Sequence, residues 1–179
     1  MLKIENTILV VIDVQEKLTR AIYEKERLIE NLQKLVKGAQ ILGLPIILTE
    51  QNPKGLGLTV PEVASLIPDI KPITKFSFSC CDVELFSKEL KASKRKQVLL
   101  TGIETHVCIY QTALDLLSDR YEVQIVADCV SSRTYENKQI AIQRLITEGA
   151  KITTAEMVLF ELLRVAEGEK FKELLKVVK

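Results

Sequence analysis

The chain has 179 residues, 47% of them hydrophobic and 27% charged, with a formal net charge of +1. At that length roughly two thirds of the unfolded surface can be buried, so one domain over residues 1–179 is expected to hold its core without disulfides or metal. The one dense basic cluster, Lys91-Ala92-Ser93-Lys94-Arg95-Lys96, reads as a solvated turn, and without a basic face interleaved with aromatics no nucleic-acid partner is expected.

Met1-Leu2-Lys3-Ile4-Glu5-Asn6 lacks a basic stretch leading into a long apolar run, so no secretion signal is expected. No later segment is apolar over the length of a bilayer, which argues against a membrane partner. Thr7-Ile8-Leu9-Val10-Val11-Ile12 is a continuous apolar run, the pattern of a parallel strand covered on both faces. After Asp13, Leu18, Ile22, Leu28, Leu32 and Leu35 keep helical spacing and predict a helix over residues 15–38 that stops at Gly38. A strand over 45–49, a Gly- and Pro-rich loop over 50–61, a helical turn over 62–67 and an extended piece over 73–75 follow. Helical spacing resumes over 83–92, and residues 97–101 form the clearest central strand. Gly102 then turns the chain ahead of a helix over 108–118. A strand over 122–127 ending at Asp128, a helix over 134–148, a short strand over 151–153 and a helical tail over 155–179 complete the order.

This alternation predicts an α/β fold: a three-layer, Rossmann-like α/β/α sandwich with a mostly parallel central sheet. Ligands of such sheets bind outside the carboxyl ends of the strands, so Asp13, residues 102–108 and Asp128 are expected to share one rim. The tail, with Met157, Val158, Leu159, Phe160, Leu162 and Leu163, carries more apolar surface than one helix face needs. Association into a homo-oligomer is expected from it, core packing being the alternative.

Three residues draw chemical interest. Cys108 arrives where a helix begins, and the free N–H groups and partial positive charge there lower a thiol's pKa and can hold an oxyanion. The alternative is a small buried cysteine. Asp13, at the edge of the core, is either a working base or the N-cap of the next helix. Lys75, in Pro72-Ile73-Thr74-Lys75-Phe76-Ser77-Phe78, either favours a neighbouring thiolate or is an ordinary surface charge. Cys80 and Cys81 suggest redox chemistry, but adjacent cysteines rarely close an unstrained disulfide. The four cysteines show no C-x-x-C spacing, and a reducing, cytoplasmic setting is expected. Gly55-Leu56-Gly57 lacks the setting of a dinucleotide site. Ser131 and Arg133 either touch substrate or cap the next helix.

Val10-Val11-Ile12-Asp13-Val14-Gln15, Thr74-Lys75-Phe76-Ser77-Phe78 and Gly102-Ile103-Glu104-Thr105-His106-Val107-Cys108 resemble the three signature segments of the isochorismatase-like cysteine hydrolases, in the family's order. Residues 50–57 and 127–133 resemble further loops of the family and bring the chain nearest to the subgroup called isochorismatase domain-containing proteins. The resemblance implies Cys108 as nucleophile, Asp13 as general base and acid, and Lys75 as the group that stabilises the thiolate. It also implies a cis peptide bond at Ile103–Glu104 and an oxyanion hole made by the backbone amides of Glu104 and Cys108.

The sequence departs from the family's metal-binding nicotinamidases. Where they place an Asp and two or more His, this chain reads Glu50-Gln51-Asn52, and its only histidine is His106. A zinc set of three or four protein ligands is missing, so no metal and no other cofactor are expected. His106 lies at a position that varies in the family and is expected to be a rim or interface side chain. A small-molecule substrate with an amide, carbamoyl or related carbonyl is expected, cleaved through an acyl-enzyme. The alternatives are a vinyl ether hydrolase and a non-catalytic binding protein on the same fold.

Overall fold

In a computed structural model covering Met1–Lys179, six strands form one all-parallel sheet. They are β1 (Thr7–Ile12), β2 (Ile46–Gln51), β3 (Ile73–Lys75), β4 (Gln97–Ile103), β5 (Glu122–Ser131) and β6 (Lys151–Thr153), in the spatial order β3-β2-β1-β4-β5-β6. The predicted three-layer α/β/α sandwich is therefore present. Along β1, Leu9 and Val11 enter one apolar cluster while Ile8, Val10 and Ile12 enter the other. Both faces are covered, which is why the strand reads as an unbroken apolar run.

One face is covered by α2 (Lys25–Leu42), α8 (Ala155–Leu163) and α9 (Gly168–Val178). The other is covered by α5 (Glu84–Ala92), α6 (Tyr110–Ser118) and α7 (Tyr135–Thr147). Short helices α1 (Glu16–Thr19), α3 (Pro53–Leu56) and α4 (Pro61–Ala64) occupy the loops over the sheet's carboxyl edge and flank. No helix is long and apolar enough to cross a membrane.

Several expected boundaries move, each for a non-local reason. The helix expected over 15–38 is two helices, α1 and α2, parted by residues 20–24, where the Tyr23 backbone is held by Ser131 and Ser132. Gly38 does not end α2. It lies inside the helix, where a Cβ would sit 2.3 Å from a methyl of Leu159, so its missing side chain lets α8 approach. The second strand runs to Gln51, β4 continues through Gly102 to Ile103, and β5 continues through Asp128 to Ser131. The tail is broken at 164–167 into α8 and α9, and Val158, Leu159 and Leu162 pack into the protein's own core. Of that apolar surplus only Met157 is strongly exposed, so the tail is chiefly a core element.

Gly102 is the tightest point of the sheet. Its φ is +107°, and a Cβ would lie 2.0 Å from the Ile12 carbonyl oxygen on β1. Gly102→Ala is expected to cost at least about 4 kcal/mol, since backbone at the sheet's centre cannot move aside. Gly149→Ala, at φ +100° with open space around it, is expected to cost only about 1–2 kcal/mol. Urea melts of the two variants check the contrast.

Candidate active site

The strand order reverses between β1 and β4, and at such a switch point the connections diverge and leave a crevice beyond the strand ends. Asp13 follows β1 directly, and Cys108 follows β4 by five residues. Lys75 is the last residue of β3, two strands away, and its stem reaches across the end of β2 to the same place.

The structure brings all three together. Lys75 Nζ lies 2.6 Å from Asp13 Oδ2 and 3.5 Å from Cys108 Sγ. The Asp13 and Lys75 side chains are fully enclosed, and Cys108, at 7% exposure, is buried beside them. Asp13 does not cap a helix: its Oδ1 accepts a hydrogen bond from the Thr49 hydroxyl at 2.8 Å, and α1 has no side-chain cap. Lys75 is no surface charge. Its ammonium donates to Gln51 Oε1 at 2.7 Å and to the carbonyls of Ser77 and Phe78 at 3.2 Å.

Cys108 does not open an ordinary α-helix either. It sits in a π-helical turn, Thr105–Ile109, whose wide loop closes with the Ile109 N–H donating to the Glu104 carbonyl, and α6 follows. π-turns of this kind are frequently found at functional sites. The Ile103–Glu104 peptide bond is cis. Two buried side-chain oxygens lack a hydrogen bond: Asp13 Oδ2, whose contact with Lys75 is ionic but badly angled, and Thr105 Oγ1 in the π-turn. Unsatisfied polar atoms are rare in native interiors and here both fall at this site.

Electrostatics reverse one expectation. Burial first, and the Asp13 carboxylate second, push the Cys108 thiol up to about 12, while Lys75 pulls it down too weakly to compensate. Burial and the neighbouring Asp13 thus favour the thiol over the thiolate. Burial alone would lower Lys75, but Asp13, with Cys108 and Cys80 behind it, outweighs that and holds the ammonium above 10.5.

Gln51 and Gln15 are the residues that sequence reasoning passed over. The Gln15 side chain accepts from the Gln51 N–H at 2.7 Å and donates to the Gln51 carbonyl at 3.0 Å, which fixes the end of β2. Gln51 in turn holds Lys75, and its amide donates to the Phe76 carbonyl at 2.8 Å. A polar residue closing an apolar strand on the ligand-binding edge was the available signal. Glu50, in the segment where metal ligands stand in the nicotinamidases, is spent on the Thr59 N–H and hydroxyl. Asp128 is not on this rim: it lies within β5 and its Oδ1 accepts from the Ala155 N–H that begins α8. Arg133 binds Glu104 Oε2 at 2.9 Å, Ser131 donates to the Tyr23 carbonyl, and His106 Nδ1 meets Ser132 Oγ at 3.0 Å. Thr134, not Ser131 or Arg133, caps α7.

A doubly wound parallel sheet with a thiol, a carboxylate and an ammonium at its switch point defines an α/β protein with a cysteine-centred polar site. The chain belongs to the isochorismatase-like hydrolase family, whose isochorismatase domain matches residues 7–157. Isochorismatase domain-containing protein 2 of Xenopus laevis is 39% identical over 173 residues, 97% of this chain and 83% of that protein. The structure of MAR1 ribonuclease from Caenorhabditis elegans matches with a TM-score of 0.92 at 37% identity, over 99% of this chain and 91% of that one. YcaC of Escherichia coli, an octameric hydrolase of unknown specificity, gives 0.93 at 27% identity over 98% and 88%. YcaC from Pseudomonas aeruginosa, solved with hexane-2,5-diol and covalent acrylamide, gives 0.92 at 26% identity over 98% and 90%.

Lys75→Met leaves the Asp13 carboxylate buried without its counter-charge and is expected to cost about 3–5 kcal/mol. The double variant Asp13→Asn/Lys75→Met is expected to recover most of that loss. Because the folded Lys75 is held above 10.5, its contribution is complete below pH 10.5 and disappears as pH rises through the higher folded-state value. Chemical denaturation of wild type and Lys75→Met across that range checks the sign.

Proposed function

We propose that the protein is a cysteine hydrolase that cleaves a small amide, carbamoyl or related carbonyl substrate through an acyl-enzyme. The observation that carries this reading is the enclosed contact of Lys75 with both Asp13 and Cys108, at 2.6 and 3.5 Å, from three segments remote in sequence. Because the thiol is held at about 12, it does not wait as a thiolate. The sulfur attacks the carbonyl carbon as its proton passes to Asp13, whose unsatisfied Oδ2 is the acceptor. The adjacent Lys75 ammonium balances the negative charge that moves between sulfur and carboxylate. The oxyanion is received by the amides of Glu104 and Cys108. Asp13 returns the proton to the leaving nitrogen and the C–N bond breaks, leaving a thioester. Asp13 then takes a proton from water, which attacks the thioester, and returns it to the departing sulfur, so that the acid and the free thiol are released.

The covalent acrylamide on the Pseudomonas YcaC supports a nucleophile on this fold, since acrylamide is captured by nucleophilic attack. The ribonuclease name of the Caenorhabditis protein raises RNA as a second reading. A group this enclosed, on a chain of net charge +1, favours a small carbonyl compound over a polyanion. A vinyl ether substrate makes no use of a nucleophilic sulfur, and a binding module has no need of the buried ion pair.

A hydrolysis screen across amides, carbamoyl compounds and vinyl ethers is expected to yield turnover that Cys108→Ala abolishes and Asp13→Asn lowers by about 10²–10⁴. Mass spectrometry during turnover is expected to show the acyl group on Cys108. The pH profile of kcat/KM is expected to lack a thiol ionisation near about 8.5. A rate that climbs tenfold per pH unit through that region points to a preformed thiolate and sinks the proton-transfer step.

The octameric relative and the exposed apolar side chains Phe76, Phe78, Ile140 and Ile146 support a homo-oligomer. Light scattering at micromolar concentration is expected to give a multiple of 20.2 kDa, and a strict monomer refutes it.

A further inference from the structure

The sheet has a notch at its outer edge. β6 is three residues long and its last pair is Val126 with Thr153, whereas β5 runs on to Ser131. Thr154 caps α8 and turns the chain away, so five residues of β5, Ala127 to Ser131, have no strand on their outer side, β4 lying on the inner one. The space left between the start of α2 and the face of α7 is a cavity of about 280 Å³, and neither Asp13, Lys75 nor Cys108 lines it.

Two cations, Arg27 and Lys138, and two carboxylates, Glu24 and Asp128, line the cavity. Asp128 is committed to the N–H of Ala155, and Glu24 pairs with Arg27 at the mouth, at 3.8 Å. Lys138, half-buried on α7, faces the cavity with no side-chain hydrogen bond and no carboxylate in ion-pair range. Its burial holds the ammonium below the ordinary value of 10.5, against the pull of Glu24 and Asp128. Two tyrosine rings, Tyr23 and Tyr135, stand at the same opening with centroids 5.6 Å apart. The unpaired cation calls for one anionic group, the rings for a flat apolar body, and the volume admits only a small ligand.

We propose that this notch is a second binding site, for a small organic carboxylate with a planar body, held by Lys138 and the Tyr23–Tyr135 pair. The site is separate from the cysteine but shares its supporting chain. Ser131 and the Tyr23 backbone line the notch, and the next two residues, Ser132 and Arg133, hold His106 and Glu104 at the rim.

Sodium benzoate is the probe, with benzyl alcohol as the same ring without charge, followed by isothermal titration and amide chemical-shift mapping. Benzoate is expected to bind wild type and Cys108→Ala alike, with shifts clustered on residues 23–28, 127–131 and 135–142. Binding is expected to weaken about tenfold or more in Lys138→Met and for benzyl alcohol. Tyr135→Ala, at a residue 50% exposed, gives a second test that leaves the core intact. No binding at millimolar benzoate, binding unchanged by both variants, or binding abolished by alkylation of Cys108 overturns the proposal. So does light scattering in which Lys138→Met or Tyr135→Ala dissociates an oligomer, which shows the notch to be filled by a second copy.

Discussion

An ammonium and a carboxylate 2.6 Å apart, both shut off from water, set the terms for the rim of this sheet. Removing such ions from water costs several kcal/mol each, and their attraction offsets that only when further hydrogen bonds complete them. Here the completion comes from β2 and from the loop after β3: the Thr49 hydroxyl on Asp13, the Gln51 side-chain oxygen on Lys75, and the carbonyls of Ser77 and Phe78. Well-packed apolar side chains in the same volume would serve stability as well or better. The pair makes sense as an arrangement kept for its effect on the sulfur beside it.

The sheet topology explains why these residues can meet at all. A reversal between β1 and β4 separates the chain leaving Asp13 from the chain leaving Ile103, and Gly102 lets the two strands close to a distance no side chain would permit. β3 is only three residues long, and its register sets Lys75 opposite Gln51. The acceptor is thus delivered with the ammonium it holds, and the Gln15 side chain fixes the strand end that carries both.

Much of this was legible in the sequence because it is local. The five apolar residues of β1, the punctuation after each strand and the order of the elements identify a covered parallel sheet, and the three signature segments place Asp13, Lys75 and Cys108 on it. What was hidden depends on neighbours distant in the chain. Gly38 looks like a helix stop because glycine often is one, yet its reason lies in Leu159. Asp128 looks like a strand end, but β5 continues past it through a register shift against β4. A lone lysine among small and apolar residues looks like a surface charge until the strand that covers it is known. Gln51 gave no sign of its partner for the same reason.

The thiol offers the sharpest lesson about local reasoning. A helix start beside a cation suggests a depressed pKa, and both features are present, but enclosure and an adjacent carboxylate win and hold Cys108 at about 12. On the proposed mechanism Cys108 becomes a nucleophile only when something electrophilic sits close enough for its proton to move to Asp13 in the same step. On that reading selectivity resides less in an activated residue than in whatever positions the carbonyl against the buried sulfur and its enclosed partners.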